Sequence, residues 1–334
     1  DLSVGYFEPF LSDLISRSSG SMSGELKLSG PLNRLSLTGE NCHFNNLNFK
    51  LNFTQVPYTI NGPFELNERG IFFTELPLTD KFGSKGFMSG KFGYNYFRDF
   101  HLDTKVTFTN LQCLDTKETD NEYFYGQAFA TGSVHLKGPL HKINIDIDVV
   151  SNKKTSIHIP LQNSATASQT NLLTFVEPYK DHKVDVYDSL QTLKANLVKK
   201  STELSVEVDT RVTPDAEVMI EIDKSVGDVI KARGNGAIGL AINPTRDIFD
   251  LYGDYHVTDG SYKFVLAGIA TRDFLLQPGG SINFNGDITN TTLDLDAIYT
   301  LGFRGEALAA ISAVSKIKLK TKPKASLTIC SKIS

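Results

Sequence analysis

Apolar and polar residues alternate over almost the whole length of this chain, and a period of two admits little besides β-strands. The pattern is seen in Leu26-Lys27-Leu28, Leu35-Ser36-Leu37, Val134-His135-Leu136, Ile143-Asn144-Ile145-Asp146-Ile147-Asp148-Val149, Leu204-Ser205-Val206-Glu207-Val208, Val218-Met219-Ile220-Glu221-Ile222 and Leu293-Asp294-Leu295. Successive side chains of a strand point to opposite faces, so each segment has one apolar and one polar face. Parallel sheets covered on both sides read as continuous apolar runs, and the helical patterns that would join such strands are missing. The expected fold class is all-β. The 22 Phe, 12 Tyr and 26 Gly, with no Trp, suit many short strands punctuated by turns.

An internal repeat extends the argument from strands to their arrangement. Residues 24–37 recur as residues 132–145, with the glycines, the Gly-Pro pairs (Gly30-Pro31, Gly138-Pro139) and the apolar positions coinciding. A looser third copy starts at Gly236 and carries Ile238, Leu240, Pro244 and Ile248. A unit of strand, Gly-Pro turn and strand cannot bury its apolar face alone, which predicts an elongated stacked-strand sheet, a β-solenoid or trough. Two short helices are expected beside it: residues 8–15, aligning Phe10, Leu11, Leu14 and Ile15 with Phe7, and residues 187–199, aligning Leu190, Leu193 and Leu197. The polar stretch 162–170 reads as a loop. This divides the chain into a helical lead-in (1–19), a β domain (20–299) and a tail (300–334).

The net charge of −4 is unevenly spread. From Leu301 onward seven Lys/Arg stand against the single acid Glu306, a surplus of six that leaves residues 1–300 at −10. An acidic body gives no electrostatic reason to bind nucleic acid. The five lysines at alternate positions 316–324 read as the solvated face of a strand or a loose end. Cys42, Cys113 and Cys330 are odd in number and far apart, which signals neither a disulfide framework nor a zinc site. No apolar run approaches the ~20 residues needed to span a bilayer as a helix.

Motifs that would carry chemistry fail on context. Gly234-Asn235-Gly236-Ala237-Ile238-Gly239 matches a dinucleotide-binding pattern, but an alternating segment follows it in place of the helix whose N-terminus would hold the pyrophosphate. Ser89-Gly90-Lys91-Phe92 resembles the end of a phosphate loop, yet Lys85 stands where the first glycine belongs and Phe92 where Ser/Thr belongs, so a turn is expected. Cys42-His43 is an isolated pair, and His135 and His141 occupy surface positions. Asp146, Asp148, Asp294 and Asp296 alternate with apolar residues as on an exposed strand face. No catalytic residue, metal site or cofactor is expected.

Several stretches, in order, resemble the C-terminal region of TamB-type, AsmA-like translocation and assembly proteins. They are Val212-Thr213-Pro214-Asp215-Ala216-Glu217-Val218, Gly227-Asp228-Val229-Ile230, Tyr252-Gly253-Asp254-Tyr255-His256-Val257-Thr258-Asp259-Gly260-Ser261-Tyr262, Pro278-Gly279-Gly280-Ser281-Ile282 and Asp294-Leu295-Asp296-Ala297-Ile298-Tyr299, with the upstream Gly-Pro repeats. The resemblance covers most of residues 20–299. It implies a non-enzymatic module of the bacterial envelope on the periplasmic side, anchored in the inner membrane through a segment missing from this chain. Its expected partners are phospholipid and an Omp85-type outer-membrane protein, and its work is lipid transport between membranes or outer-membrane protein assembly. Curling alternating strands into a trough would line a lipid groove with Leu26, Leu28, Val134, Leu136, Ile143 and Ile145. The alternative is a purely structural β-solenoid that buries the same residues in a dry core.

After Tyr299 the sequence changes character. Gly302-Phe303-Arg304-Gly305-Glu306-Ala307-Leu308 and the residues following resemble MutL-type mismatch-repair ATPases, where this motif belongs to the lid over bound ATP; Glu306, Ala307 and Leu308 are the matching positions. The magnesium-holding helix and adenine loop of that family are absent, and phosphoryl chemistry needs those groups together. The expectation is an inert fragment, with a short helix over 307–314, joined to the envelope module near residues 299–301. An ATPase remnant is the competing reading of this tail.

Overall fold

The computed structural model describes residues 2–3, 14–31, 34–96, 98–121, 123–160, 202–224, 226–266, 270–299 and 327–331. Among the described residues nineteen strands join into one sheet. The first half holds β1 (Leu2–Ser3), β2 (Ile15–Ser29), β3 (Ser36–Leu51), β4 (Pro57–Pro63), β5 (Glu65–Asn67), β6 (Gly70–Asp80), β7 (Lys85–Asn95), β8 (Arg98–Thr116) and β9 (Tyr125–Pro139). After these come β10 (Lys142–Ser151), β11 (Ser156–Pro160), β12 (Glu203–Val212), β13 (Glu217–Asp223), β14 (Asp228–Asn243), β15 (Ile248–Leu266), β16 (Ala270–Leu276), β17 (Ser281–Asp287), β18 (Thr292–Tyr299) and β19 (Leu327–Ser331).

The sheet is a meander whose rows follow chain order. β9 uses one edge along its length for β8, so β10 and β11 must share the other edge end to end. The same reasoning makes single interrupted rows of β4 with β5, β12 with β13, and β16 with β17. Through these breaks the pairings of β9, β10, β12, β14, β13 and β11 close into a six-strand ring flanked by further strands, which is not the stack of equivalent coils a solenoid requires. Neighbouring rows are antiparallel except β10 with β12 and β11 with β13, which run parallel.

Both full copies of the repeat form hairpins, β2–β3 and β9–β10, and the looser copy forms β14–β15. Following strand direction row by row, β2, β9 and β14 run the same way, so the turns after Ser29, Pro139 and Asn243 lie on one rim. Gly30 and Gly138 turn there with φ of 94° and 129°, values that favour glycine.

Nearly every row carries an irregularity near its middle. The registers slip between Ser23 and Glu25, Phe44 and Leu47, Phe73 and Leu76, Phe108 and Leu111, and Arg233 and Gly234. Asn41, Asn46, Glu75 and Asn110 sit at or beside these bulges in the left-handed region. Bulges bend strands and increase twist, so a band of them folds the sheet over its apolar face. Two cores result. One gathers Phe44, Val56, Ile60, Leu76, Phe108 and Leu111, the other Val206, Ile220, Ile230, Tyr255, Ile282 and Leu293, and Ile147 packs against both.

The helical expectations are corrected where they can be compared. Ile15 opens β2, because its partner Leu51 draws it into the ladder, and the helical lead-in therefore does not extend to residue 19. Residues 8–13 of that helix, the 187–199 helix, the 162–170 loop and the 307–314 helix lie outside the described residues. The described part of the tail is β19, antiparallel to β18, rather than a helical appendage. Among the described residues the helical elements are 3-10 turns, Pro244–Arg246 and Ile288–Asn290, and no helix is long and apolar enough to cross a membrane.

Candidate functional site

Residues directly opposite each other in a ladder share a face, so the register alone traces which side chains form one surface. Leu26 lies opposite Gly39, Gly39 opposite Leu66, Leu66 opposite Ile71, Ile71 opposite Phe92, and Phe92 opposite Leu102. Leu102 pairs with Gly138, two positions from Leu136 on the same face. The line continues through Ile145, Val206, Ile242 and Phe249, and farther along β15 Tyr255 leads to Ile282 and Leu293. One apolar face thus crosses the sheet from β2 to β18. Gly39 shows the contact directly: a Cβ there would meet Leu26 at 3.1 Å and Leu66 at 3.2 Å.

The opposite face is polar. Lys105, His135, Asp146 and Glu207 follow one another across β8, β9, β10 and β12. His135 Nε2 lies 3.0 Å from a carboxylate oxygen of Asp103, and that hydrogen bond lowers the Asp103 pKa. Asp146, Asp148, Asp294 and Asp296 are exposed, as the alternation implies.

All six residues expected to line a groove lie on the apolar face, but their surroundings differ. Leu26 and Leu28 are 47% and 60% exposed, Val134, Leu136 and Ile145 are half-buried, and Ile143 is 1% exposed. The face is open at the first row and filled by protein in the middle rows. Two sets of long-range contacts accompany this difference. Tyr58 donates from its hydroxyl to the Gln112 backbone carbonyl at 2.7 Å, while the Gln112 backbone N–H donates to an Asp80 carboxylate oxygen at 2.9 Å, tying the end of β8 to β4 and β6. Tyr123 and Phe124, in the link before β9, stack on Phe249 with centroids 4.9 and 5.7 Å away, and the Tyr123 hydroxyl donates to Asp247. A cavity of about 440 Å³ lies beside Arg17, Phe49, Lys50, Tyr58, Lys81 and Asp115, with polar and apolar side chains sharing its lining. Lys81 there is paired with Asp115 at 2.5 Å.

The motif-like segments find structural explanations. Gly234 and Gly236 lie within β14, where a Cβ would come within 2.1 Å of the His256 carbonyl oxygen and 2.3 Å of that of Asp254. The Tyr255 ring packs over Gly234 and its hydroxyl donates to the Ala232 carbonyl at 3.2 Å, so the glycines admit a tyrosine rather than a pyrophosphate. The 89–92 segment is not a turn but the middle of β7; Gly90 is required because a Cβ there would sit 2.2 Å from the Asp103 carbonyl oxygen. Among the described residues no three His, Cys, Asp or Glu side chains gather as metal ligands.

Two polar features escaped sequence reasoning. Buried Glu221 accepts from the Tyr125 hydroxyl and lies 2.9 Å from His158 Nδ1, while its other oxygen has no partner. The Tyr125 and His158 rings stack at 4.5 Å, and burial raises the Tyr125 pKa. This cluster ties β9, β11 and β13 together; with partners 63 and 96 positions apart it leaves no sequence signal. Asp228 is the second. It shares the apolar face with Ile230, and burial raises its carboxyl to about 6.

The family profile of the TamB C-terminal domain matches residues 77–315. The chain belongs to this family. Its match runs past the 299–301 junction, so the tail is not cleanly foreign to it. Short similarities to two curated proteins also occur. The DNA mismatch repair protein MutL of Desulforudis audaxviator (strain MP104C) is 64% identical over 33 residues, 10% of this chain and 6% of that protein. MutL of Chlorobium phaeobacteroides (strain DSM 266 / SMG 266 / 2430) is 59% identical over 34 residues, 10% and 5% respectively. The chain thus spans about one-twentieth of these relatives' length. Glu306, Ala307 and Leu308 lie outside the described residues. No solved structure matches the chain.

Proposed function

We propose that this chain is a non-enzymatic module of the bacterial envelope whose apolar face shields acyl chains of phospholipid during transport between membranes. Membership of the TamB C-terminal domain family supports an envelope role in lipid transport or protein assembly. The observation that carries the lipid reading is the register-continuous apolar face, accessible at Leu26 and Leu28, backed by a polar face. Acyl chains need an apolar lining and no reacting group. The resemblance supplies the rest of the reading: a periplasmic position, anchoring in the inner membrane, and an Omp85-type outer-membrane partner. A photoreactive residue at Leu28 should crosslink to phospholipid in vesicles, and one at Lys27, on the opposite face, should not. Equal labelling at both, or none, would refute it.

The structural reading has one specific observation in its favour: Ile143, Val206, Ile220 and Ile282 are buried by the protein itself. If purified protein carries no phospholipid, and a charge at Leu136 or Ile145 merely unfolds it, this dry-core reading replaces transport. For residues 300–334 we propose an inert MutL-like segment without ATPase activity.

A further inference from the structure

A basic, aromatic patch stands on the polar face of an otherwise acidic body. Residues 81–98 hold four Lys/Arg and no Asp/Glu, within the 300 residues that together carry −10. Their strand, β7, is paired with β6 on one side and β8 on the other, so the patch is a sheet surface rather than an edge. Phe87 lies opposite Thr107, and Lys85 and Lys105 stand two positions from them, so all four share the outer face. Phe87 is 48% exposed. Lys85 and Lys105 are exposed too, and neither is in an ion pair among the described residues.

The turn before β7 presents a second ring. Buried Asp80 accepts from the backbone N–H groups of Phe82 and Ser84 with one oxygen and from that of Gln112 with the other, each at 2.9 Å, which fixes the turn. Phe82 leans on the Phe129 ring at 5.5 Å, yet it stays 58% exposed, and a Cβ on Gly83 beside it would meet nothing within 4 Å. Holding large apolar rings outward in water is unfavourable, and an apolar medium that receives them removes that cost. The lysines select the medium. A bilayer surface takes aromatic rings at headgroup depth, and its anionic headgroups attract ammonium groups.

We propose that the outer face around Phe82 and Phe87 docks on an anionic phospholipid bilayer, with both rings in the headgroup layer and Lys85 and Lys105 against the phosphates. The patch lies on the face opposite Leu28, so it goes beyond the acyl-chain reading and stands or falls separately. The chain has no Trp, which makes Phe82→Trp a single reporter. With phosphatidylcholine vesicles containing about one-third phosphatidylglycerol its emission should shift to the blue, and the shift should vanish in pure phosphatidylcholine or at ~0.5 M salt. Tyr252→Trp is the control: Tyr252 is 52% exposed on the same outer face but stands between Asp250 and Asp254 on its strand, and it should not shift. Co-sedimentation of the unsubstituted chain with the anionic vesicles should weaken about fivefold with Lys85→Gln and again with Lys105→Gln. An unsubstituted chain that stays in the supernatant overturns the proposal without any variant. So does a silent Phe82→Trp, equal binding to uncharged vesicles, an equal shift at Tyr252→Trp, or lysine variants that sediment like the parent.

Discussion

Replacing Asp228 with asparagine tests how the apolar face treats charge. Asp228 is 7% exposed, one of its oxygens has no partner, and Asp223 lies opposite it in the ladder. Burial, with a smaller contribution from Asp223, raises its pKa from 3.8 to about 6, against a hydrogen bond from Tyr262 that lowers it. The folded state therefore holds this proton more tightly than the unfolded chain. The stability it contributes is full below the unfolded pKa and is lost as pH rises through about 6. Two units correspond to about 3 kcal/mol, of which about 2 kcal/mol falls between pH 4 and 7.5. The asparagine variant should thus gain about 2 kcal/mol relative to the parent on going from pH 4 to 7.5. Urea unfolding followed by far-ultraviolet circular dichroism at both pH values reads this directly, the chain having no Trp. A parent–variant difference that stays constant with pH would refute the reasoning.

Other outcomes follow from burial and backbone geometry. Ile143→Ala should cost about 3 kcal/mol in urea unfolding and Leu28→Ala less than about 1 kcal/mol, since only Ile143 is enclosed. Gly132→Ala should cost more than about 2 kcal/mol, because its Cβ would sit 2.1 Å from the Asp148 carbonyl oxygen; Gly83→Ala, at φ 84° with open space around it, should cost only about 1 kcal/mol. ATP with magnesium should bind no tighter than about 100 μM, roughly −5.5 kcal/mol, by calorimetry; tighter binding would revive an ATPase role for residues 300–334.

Alternation determined the strands, and the Gly-Pro repeat determined which pairs form hairpins and that their turns share a rim. Both are local: side-chain direction flips at every residue, and a turn is set by the few residues within it. The common face of Leu26, Leu28, Val134, Leu136, Ile143 and Ile145 was legible for the same reason. Their fates were not. Ile143 is enclosed and Leu28 open because one lies in the middle of a sheet bent over itself and the other on its first row, a distinction without a local signature. Tyr123 on Phe249, Tyr58 on Gln112 and the Tyr125–His158–Glu221 cluster join residues 33 to 126 positions apart. Gly90 and Gly234 imitate phosphate-binding motifs in sequence; only the close approach of a neighbouring strand reveals why no side chain fits there. The sequence by itself set what each strand presents, and tertiary structure decided what covers it, because burial depends on bends and crossings that accumulate over many rows.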